Sequence, residues 1–112
     1  MPNSISIIYF DKGGSMLEAD YQAYLIKRIK RDVLPGSLVL KNDTQYLQGI
    51  PDLTVLHGPK WAVLEVKTSA RARKRPNQEY YIDLFDGWSF AAFIYPENEE
   101  DVLNDLQFAL QL

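Results

Sequence analysis

The chain of 112 residues contains no cysteine. Disulfide bonds, thiolate catalysis and cysteine-ligated zinc are therefore excluded. The chain also lacks a hydrophobic run long enough to cross a bilayer, and its first residues, Met-Pro-Asn-Ser, have neither the basic nor the apolar region of a signal peptide. We therefore expect an intracellular, cytoplasmic protein. The length predicts one domain over residues 1–112, with a modest core.

Basic residues are missing from the last third of the chain. All 12 Lys and Arg lie in residues 1–75 beside 7 acids, which gives this part a net charge of +5, whereas residues 76–112 carry 8 acids and no base. The overall charge of −3 therefore does not exclude a nucleic-acid partner, because an acidic protein can present one basic surface. The simplest alternative is an acidic C-terminal helix that faces solvent.

Turn signals and hydrophobic periodicity predict a single mixed α/β domain with the element order (β)αβββαβα. The first strand, an edge strand or an arm, is a candidate for dimerisation. Helices are predicted from near Ser15 to residues 35–36, over about 77–86 with Gly87 as the stop, and over about 97–110. The predicted strands cover residues 4–10, 37–41, 50–56, 61–68 and 88–95.

The second and third strands of the αβββ run are predicted to form an antiparallel hairpin around Gly58 and Pro59. A two-residue or a four-residue loop pairs Leu56 with Trp61 and, further along both strands, Asp52 with Glu65. Directly opposed side chains have Cβ atoms about 5 Å apart. Two carboxylates placed in this way repel each other unless a cation lies between them.

Lys67 shares the face of Glu65, because alternate residues of a strand point to the same side. Hard divalent cations such as Mg²⁺ prefer oxygen ligands. We therefore predict a metal site formed by Asp52, Glu65 and the main-chain carbonyl of Val66. Lys67 would orient an attacking water or bind the scissile phosphate. The structural alternative is an exposed salt-bridge ladder, since Glu-x-Lys is a common triplet.

Glu18 has two interpretations. It stands three residues after Ser15, which is the spacing of a capping box. It could instead bring a third carboxylate to the metal site from the start of the helix. Local spacing favours the cap. The single histidine, His57, lies in the predicted turn and is assigned no role.

A dense basic run follows the predicted hairpin. Arginine pairs well with phosphate and supplies affinity that does not depend on sequence. Since no base-reading helix or RNA-stacking motif is recognisable, we expect contacts with the phosphate backbone of DNA. The basic residues are Arg71, Arg73, Lys74 and Arg75.

The pattern Pro51-Asp52, twelve intervening residues, then Glu65-Val66-Lys67 resembles the signature of the PD-(D/E)XK nuclease superfamily. Gly-Ile-Pro-Asp-Leu before a Leu-Glu-Val-Lys strand, followed by Arg-Pro-Asn-Gln-Glu-Tyr-Tyr, is similar to the VRR-NUC branch, which includes small free-standing phage nucleases. The archaeal Holliday-junction resolvases have a similar size and the same core.

This resemblance implies a restriction-endonuclease-like αβββαβ core, with a mixed sheet flanked by helices. It implies hydrolysis of DNA phosphodiester bonds with Mg²⁺, or Mn²⁺ as a substitute, and catalysis by Asp52, Glu65 and Lys67. It also brings Glu18 and Gln78 into the site, and so reverses the preference for Glu18 as a cap. We expect a homodimeric endonuclease selective for branched DNA or Holliday junctions. The alternative is a non-catalytic DNA-binding or assembly module.

Overall fold

The computed structural model describes residues 17–112, which form a four-stranded mixed sheet flanked by three helices. The predicted αβββαβ core and the final helix are confirmed. The predicted strand over residues 4–10 lies outside the described residues. The first helix begins at Glu18, three residues after the predicted start near Ser15, because Leu17 has an extended backbone. The elements are α1 (Glu18–Arg28), which continues as a π-helical turn (Ile29–Val33), β1 (Leu38–Lys41), β2 (Leu53–His57), β3 (Lys60–Val66), α2 (Pro76–Trp88), β4 (Phe90–Ile94) and α3 (Glu99–Leu110).

The strand order of the sheet is β1-β2-β3-β4. The first three strands are antiparallel, and β4 runs parallel to β3 after the crossover through α2. The carboxyl ends of β3 and β4 therefore lie at one end of the sheet, together with the amino end of β2. The amino termini of α2 and α3 belong to this end as well. No helix within residues 17–112 is both long enough and apolar enough to cross a membrane.

Apolar side chains cover both faces of the sheet. Helices α1 and α3 pack on one face, and α2 packs on the other. Three alternate residues of β3, Ala62, Leu64 and Val66, lie in the larger core and are fully buried. Helix α3 buries one apolar side, which consists of Val102, Leu103, Leu106 and Leu110.

The hairpin has the predicted register, with Leu56 opposite Trp61. Its turn is the two-residue alternative, because His57 pairs with Lys60. Gly58 has a φ of +60°, a backbone conformation that favours glycine. The prediction of the loop position is therefore confirmed, although His57 closes β2 and is not part of the turn.

The boundary between α2 and β4 differs from the prediction. The sequence predicts a helix stop at Gly87, but α2 continues to Trp88, whose side chain is 64% exposed. A glycine stop normally uses a left-handed backbone, and Gly87 is not among the glycines with positive φ. The chain leaves the helix at Ser89 instead, and β4 is correspondingly shorter.

Gly49 lies directly against the start of α2. Its φ is +91°, and a Cβ added there would lie 2.8 Å from the Cβ and 2.9 Å from the carbonyl carbon of Asn77. Gly36 has a similar φ of +89°, but its added Cβ would meet nothing within 4 Å. The two glycines thus share a backbone conformation and differ in their surroundings.

We expect Gly49→Ala to destabilise the protein more than Gly36→Ala. The left-handed backbone costs about 1 kcal/mol in both variants, and crowding of Asn77 adds about 1–3 kcal/mol at position 49 alone. Urea unfolding monitored by circular dichroism would measure both changes. Equal decreases in stability would show that the contact with α2 is not tight.

Candidate active site

Asp52 and Glu65 meet where β2 begins and β3 ends. Leu53 pairs with Leu64, so the next pair outward is Asp52 and Glu65. Oδ2 of Asp52 accepts a hydrogen bond of 2.9 Å from the backbone N–H of Val66. Glu65 is only 3% exposed. The two carboxylates therefore lie side by side on the sheet face that α2 partly covers.

Gln78 links this pair to the predicted catalytic lysine. Its Nε2 donates to Oε2 of Glu65 over 3.0 Å, and its Oε1 accepts from Nζ of Lys67 over 2.8 Å. The same Oε1 accepts from the backbone N–H of Arg75, which precedes α2. Nζ of Lys67 lies 3.8 Å from Oε2 of Glu65. The first turn of α2 thus holds the ammonium group beside the carboxylate pair.

Negative charge exceeds positive charge in this site. Burial, with the charge of Asp52 as the next contribution, raises the pKa of Glu65 to about 8, although the Lys67 ammonium opposes the shift. Burial also raises the pKa of Asp52. Among residues 17–112, Oε1 of Glu65 is buried and has no hydrogen-bond partner. The ionised pair therefore needs either a proton or a cation.

Glu18 brings a third carboxylate to the edge of this pair. Its side chain is more exposed and accepts a hydrogen bond of 3.2 Å from Gln22. Partial burial, and then the charge of Asp52, raises the pKa of Glu18, and Glu18 contributes in turn to the raised pKa of Glu65. Helix α1 begins at Glu18, and Leu17 before it has an extended backbone with φ −90° and ψ 128°. Glu18 is therefore the first helical residue and not the third, as a capping box with Ser15 requires, so the capping interpretation is wrong.

The carboxylates do not complete a metal cage by themselves. Within residues 17–112, no group of three His, Cys, Asp or Glu side chains is arranged to hold a metal ion. Mg²⁺ typically binds through one or two carboxylates and keeps several waters or phosphate oxygens. The opposed pair fits this mode, and so does Oε1 of Glu65, which has no hydrogen-bond partner among the described residues.

A buried carboxylate fixes α1, the helix that carries Glu18. Glu99 at the start of α3 accepts hydrogen bonds from the hydroxyl groups of Tyr21 (2.8 Å) and Tyr24 (2.7 Å), and it pairs with Arg28. Burial, followed by the contacts with Glu99, raises the pKa of Tyr24 to about 12. The alternative interpretation of the C-terminal acids, a helix that faces solvent, does not hold for Glu99, which is buried and accepts these hydrogen bonds.

Sequence reasoning missed Asn42, which fixes the backbone around Asp52. Its side-chain Nδ2 donates to the carbonyl of Pro51 (2.8 Å) and to Oγ1 of Thr54 (2.9 Å). Its backbone N–H donates to the carbonyl of Asp52 over 2.8 Å. A polar residue after a strand carries no specific signal, so only the distant pairing of β1 with β2 reveals this role.

The basic run forms the loop between Lys67 and α2. Arg71, Arg73 and Arg75 are exposed, whereas Lys74 is half-buried. Nζ of Lys74 lies 5.3 Å from the ring centroids of both Phe93 and Tyr95. The loop that carries these four residues thus joins Lys67 to the first turn of α2, and three of the four side chains are exposed to solvent.

His57 lies at the opposite end of the hairpin from Asp52. Its Nδ1 is 2.8 Å from the carbonyl oxygen of Leu110, so it connects β2 to the end of α3. It is half-buried and not a solvated turn residue. The structure places it away from the candidate site.

No family model and no curated protein matches this chain. It is similar to a solved structure described as a VRR_NUC domain protein, with a TM-score of 0.62 and 17% sequence identity. The match covers 85% of this chain and 88% of that chain. At this identity the comparison shows the fold, which is restriction-endonuclease-like and VRR-NUC-like.

We expect Glu65→Gln to stabilise the metal-free protein at pH 8. The pKa of Glu65 is raised from 4.5 to about 8 on folding. Between these pH values the unfolded chain releases a proton that the folded protein retains, so stability falls as the pH rises. Removing this ionisation should add at least about 1 kcal/mol at pH 8, measured by urea unfolding in EDTA.

The matched control is Glu79→Gln, which removes the same charge from an exposed position of α2. It should leave stability nearly unchanged. The gain from Glu65→Gln should shrink as the pH falls to 5, because the carboxyl group is then protonated in the folded protein. A gain that does not depend on pH would contradict the buried-charge explanation.

Proposed function

We propose that this protein is a metal-dependent DNA endonuclease. The observation that carries the proposal is the grouping of Asp52, Glu65, Lys67 and Gln78 within hydrogen-bonding or ion-pair distance on one sheet face. A binding module has no need of two opposed, buried carboxylates, which are costly to ionise. The VRR-NUC-like fold and the sequence resemblance to PD-(D/E)XK nucleases support the same reaction.

The residues present suit Mg²⁺, with Mn²⁺ as a substitute. Asp52 and Glu65 offer hard oxygen ligands, the carbonyl of Val66 is a further candidate, and Oε1 of Glu65 lacks a protein donor. When bound, such an ion lowers the pKa of a water and neutralises charge that develops on the phosphate. The charge of the ion would offset both the burial and the repulsion by Asp52 that raise the pKa of Glu65.

Lys67 and Gln78 would act on the substrate side of the site. The Lys67 ammonium would donate hydrogen bonds to a non-bridging oxygen of the scissile phosphate or to the attacking water. Gln78 would hold the ammonium in place through its 2.8 Å contact with Nζ. Glu18, at the edge of the site, would orient water.

The phosphate backbone of DNA would bind along the exposed arginines of residues 71–75. These side chains neutralise phosphate without reading bases. One small domain offers little surface for DNA, and a homodimer would present two such sites. Paired sites suit branched substrates such as four-way junctions, and we propose this class as the preferred substrate.

We expect Lys67→Ala to lower the cleavage rate at least about 100-fold, because the variant has no charge-stabilising donor at this position. The assay would use a labelled four-way junction beside linear duplex, flap and single-stranded DNA, each with Mg²⁺, Mn²⁺ or EDTA. Paired, symmetric cuts of the junction would identify a dimeric resolvase-like enzyme.

The control variant is Lys60→Ala, which removes the same charge from the far end of β3. It should cleave at the wild-type rate. Cleavage of linear or flap DNA but not of the junction would support the proposed nuclease activity and reject the proposed preference for junctions. Binding of DNA without cleavage in either metal would reject the catalytic function and leave a binding module.

We expect the double variant Arg73→Gln/Arg75→Gln to weaken DNA binding, because it removes two of the cationic side chains proposed to bind phosphate. The slope of log affinity against log salt should decrease in magnitude by about 2, or roughly 0.9 for each arginine replaced. Fluorescence anisotropy in EDTA measures binding without cleavage.

Arg31→Gln is the matched control, since Arg31 is exposed on the π-helical turn that follows α1 on the opposite side of the sheet. Its salt slope should equal that of the wild-type protein. An equal decrease in both variants would indicate non-specific attraction in place of a defined DNA path.

A further inference from the structure

Tyr46 stands at the tip of the loop that joins β1 to β2, with 87% of its surface exposed. The neighbouring Leu47 is 39% exposed. Oδ1 of Asp43 accepts hydrogen bonds from the backbone N–H groups of Gln45 (2.9 Å) and Tyr46 (3.2 Å). The loop therefore has a defined turn that holds an aromatic ring in solvent.

Both stems of this loop are fixed at the candidate active site. On one side, Asn42 bonds the backbone carbonyls of Pro51 and Asp52. On the other side, Gly49 lies against Asn77, the residue before Gln78. Three peptide units separate Tyr46 from Gly49, so their Cα atoms are at most about 11 Å apart. The ring is thus within a few nucleotides of any phosphate bound at the site.

The charge around Tyr46 distinguishes it from the other exposed aromatic residues. Tyr80 and Trp88 lie on α2, and Phe108 lies on α3. These two helices carry acids and no base, so they repel a phosphate backbone. Asp43 is the one charged residue among residues 42–51, and its Oδ1 accepts hydrogen bonds from backbone N–H groups. The loop follows Lys41, which is exposed and positively charged.

We propose that Tyr46 stacks on an unpaired base next to the bound phosphate, and so favours, among branched DNA molecules, those with unpaired bases at the branch point. The inference rests on the proposed function, because it assumes that the chain binds DNA. Exposed aromatic rings bind unpaired bases by stacking, without regard to base identity. A fully paired duplex offers no free base face at this position, so its affinity would not depend on the ring.

The test compares Tyr46→Ala, Tyr46→Phe and Tyr80→Ala with the wild-type protein. Anisotropy in EDTA would measure affinity for a DNA flap with unpaired bases at the branch and for a duplex of equal length. A 2-aminopurine at the branch reports stacking through its fluorescence. Tyr80→Ala is the matched control, since it removes another exposed tyrosine ring, from α2.

We expect Tyr46→Ala to lower affinity for the flap about 5- to 150-fold, to leave duplex affinity unchanged and to abolish quenching of 2-aminopurine. Tyr46→Phe should retain both properties, because the ring remains. Unchanged flap affinity, an equal decrease on duplex, or the same decrease in Tyr46→Phe or Tyr80→Ala would overturn the proposal.

Failure of this inference is distinguishable from failure of the proposed function. If the wild-type protein cuts DNA while Tyr46→Ala retains flap affinity, the nuclease stands and stacking is rejected. If the wild-type protein binds flaps through Tyr46 but never cuts them with either metal, stacking stands and catalysis is rejected.

Discussion

The opposition of Asp52 and Glu65 is the constraint on which the rest of the site depends. Two carboxylates at neighbouring positions of paired strands cannot both ionise cheaply once burial removes water. The protein supplies the N–H of Val66, the amide of Gln78 and the ammonium of Lys67. These groups leave Oε1 of Glu65 without a donor, and a divalent cation would supply the missing charge.

The surrounding structure prevents this pair from relaxing apart. Asn42 donates hydrogen bonds to the backbone carbonyls of Pro51 and Asp52. Gly49 allows the start of α2 to approach closely enough for Gln78 to reach Glu65. Glu99 fixes α1 through three donors, so Glu18 is carried by a helix that is itself held. Burial, together with repulsion that movement cannot relieve, therefore raises the pKa of Glu65.

Local patterns predicted the carboxylate pair, whereas contacts between distant segments did not follow from them. A two-residue side-chain period and a Gly-Pro turn were sufficient to place Asp52 opposite Glu65, because hairpin register depends on the turn. Only the family resemblance identified Gln78 as a site residue, because its hydrogen-bond partners lie 11 and 13 residues away across a crossover connection. The hydrogen-bond partners of Glu99 are more than 70 residues away in the sequence. In a run of acids at the start of a helix, local sequence does not show which one is buried.

The distribution of charge also favours one direction of approach for a phosphate backbone. Helix α2 covers β3 and β4 and carries exposed acids, so this side of the site repels phosphate. The part of the same sheet face formed by β1 and β2 is more open, with Leu38 and Leu40 exposed by 53% and 42%. Because the field near a surface depends on its local charges, the exposed arginines of the loop before α2 attract phosphate although the whole chain is acidic. These local charges therefore favour the approach of a polyanion from the side of this loop and not across α2.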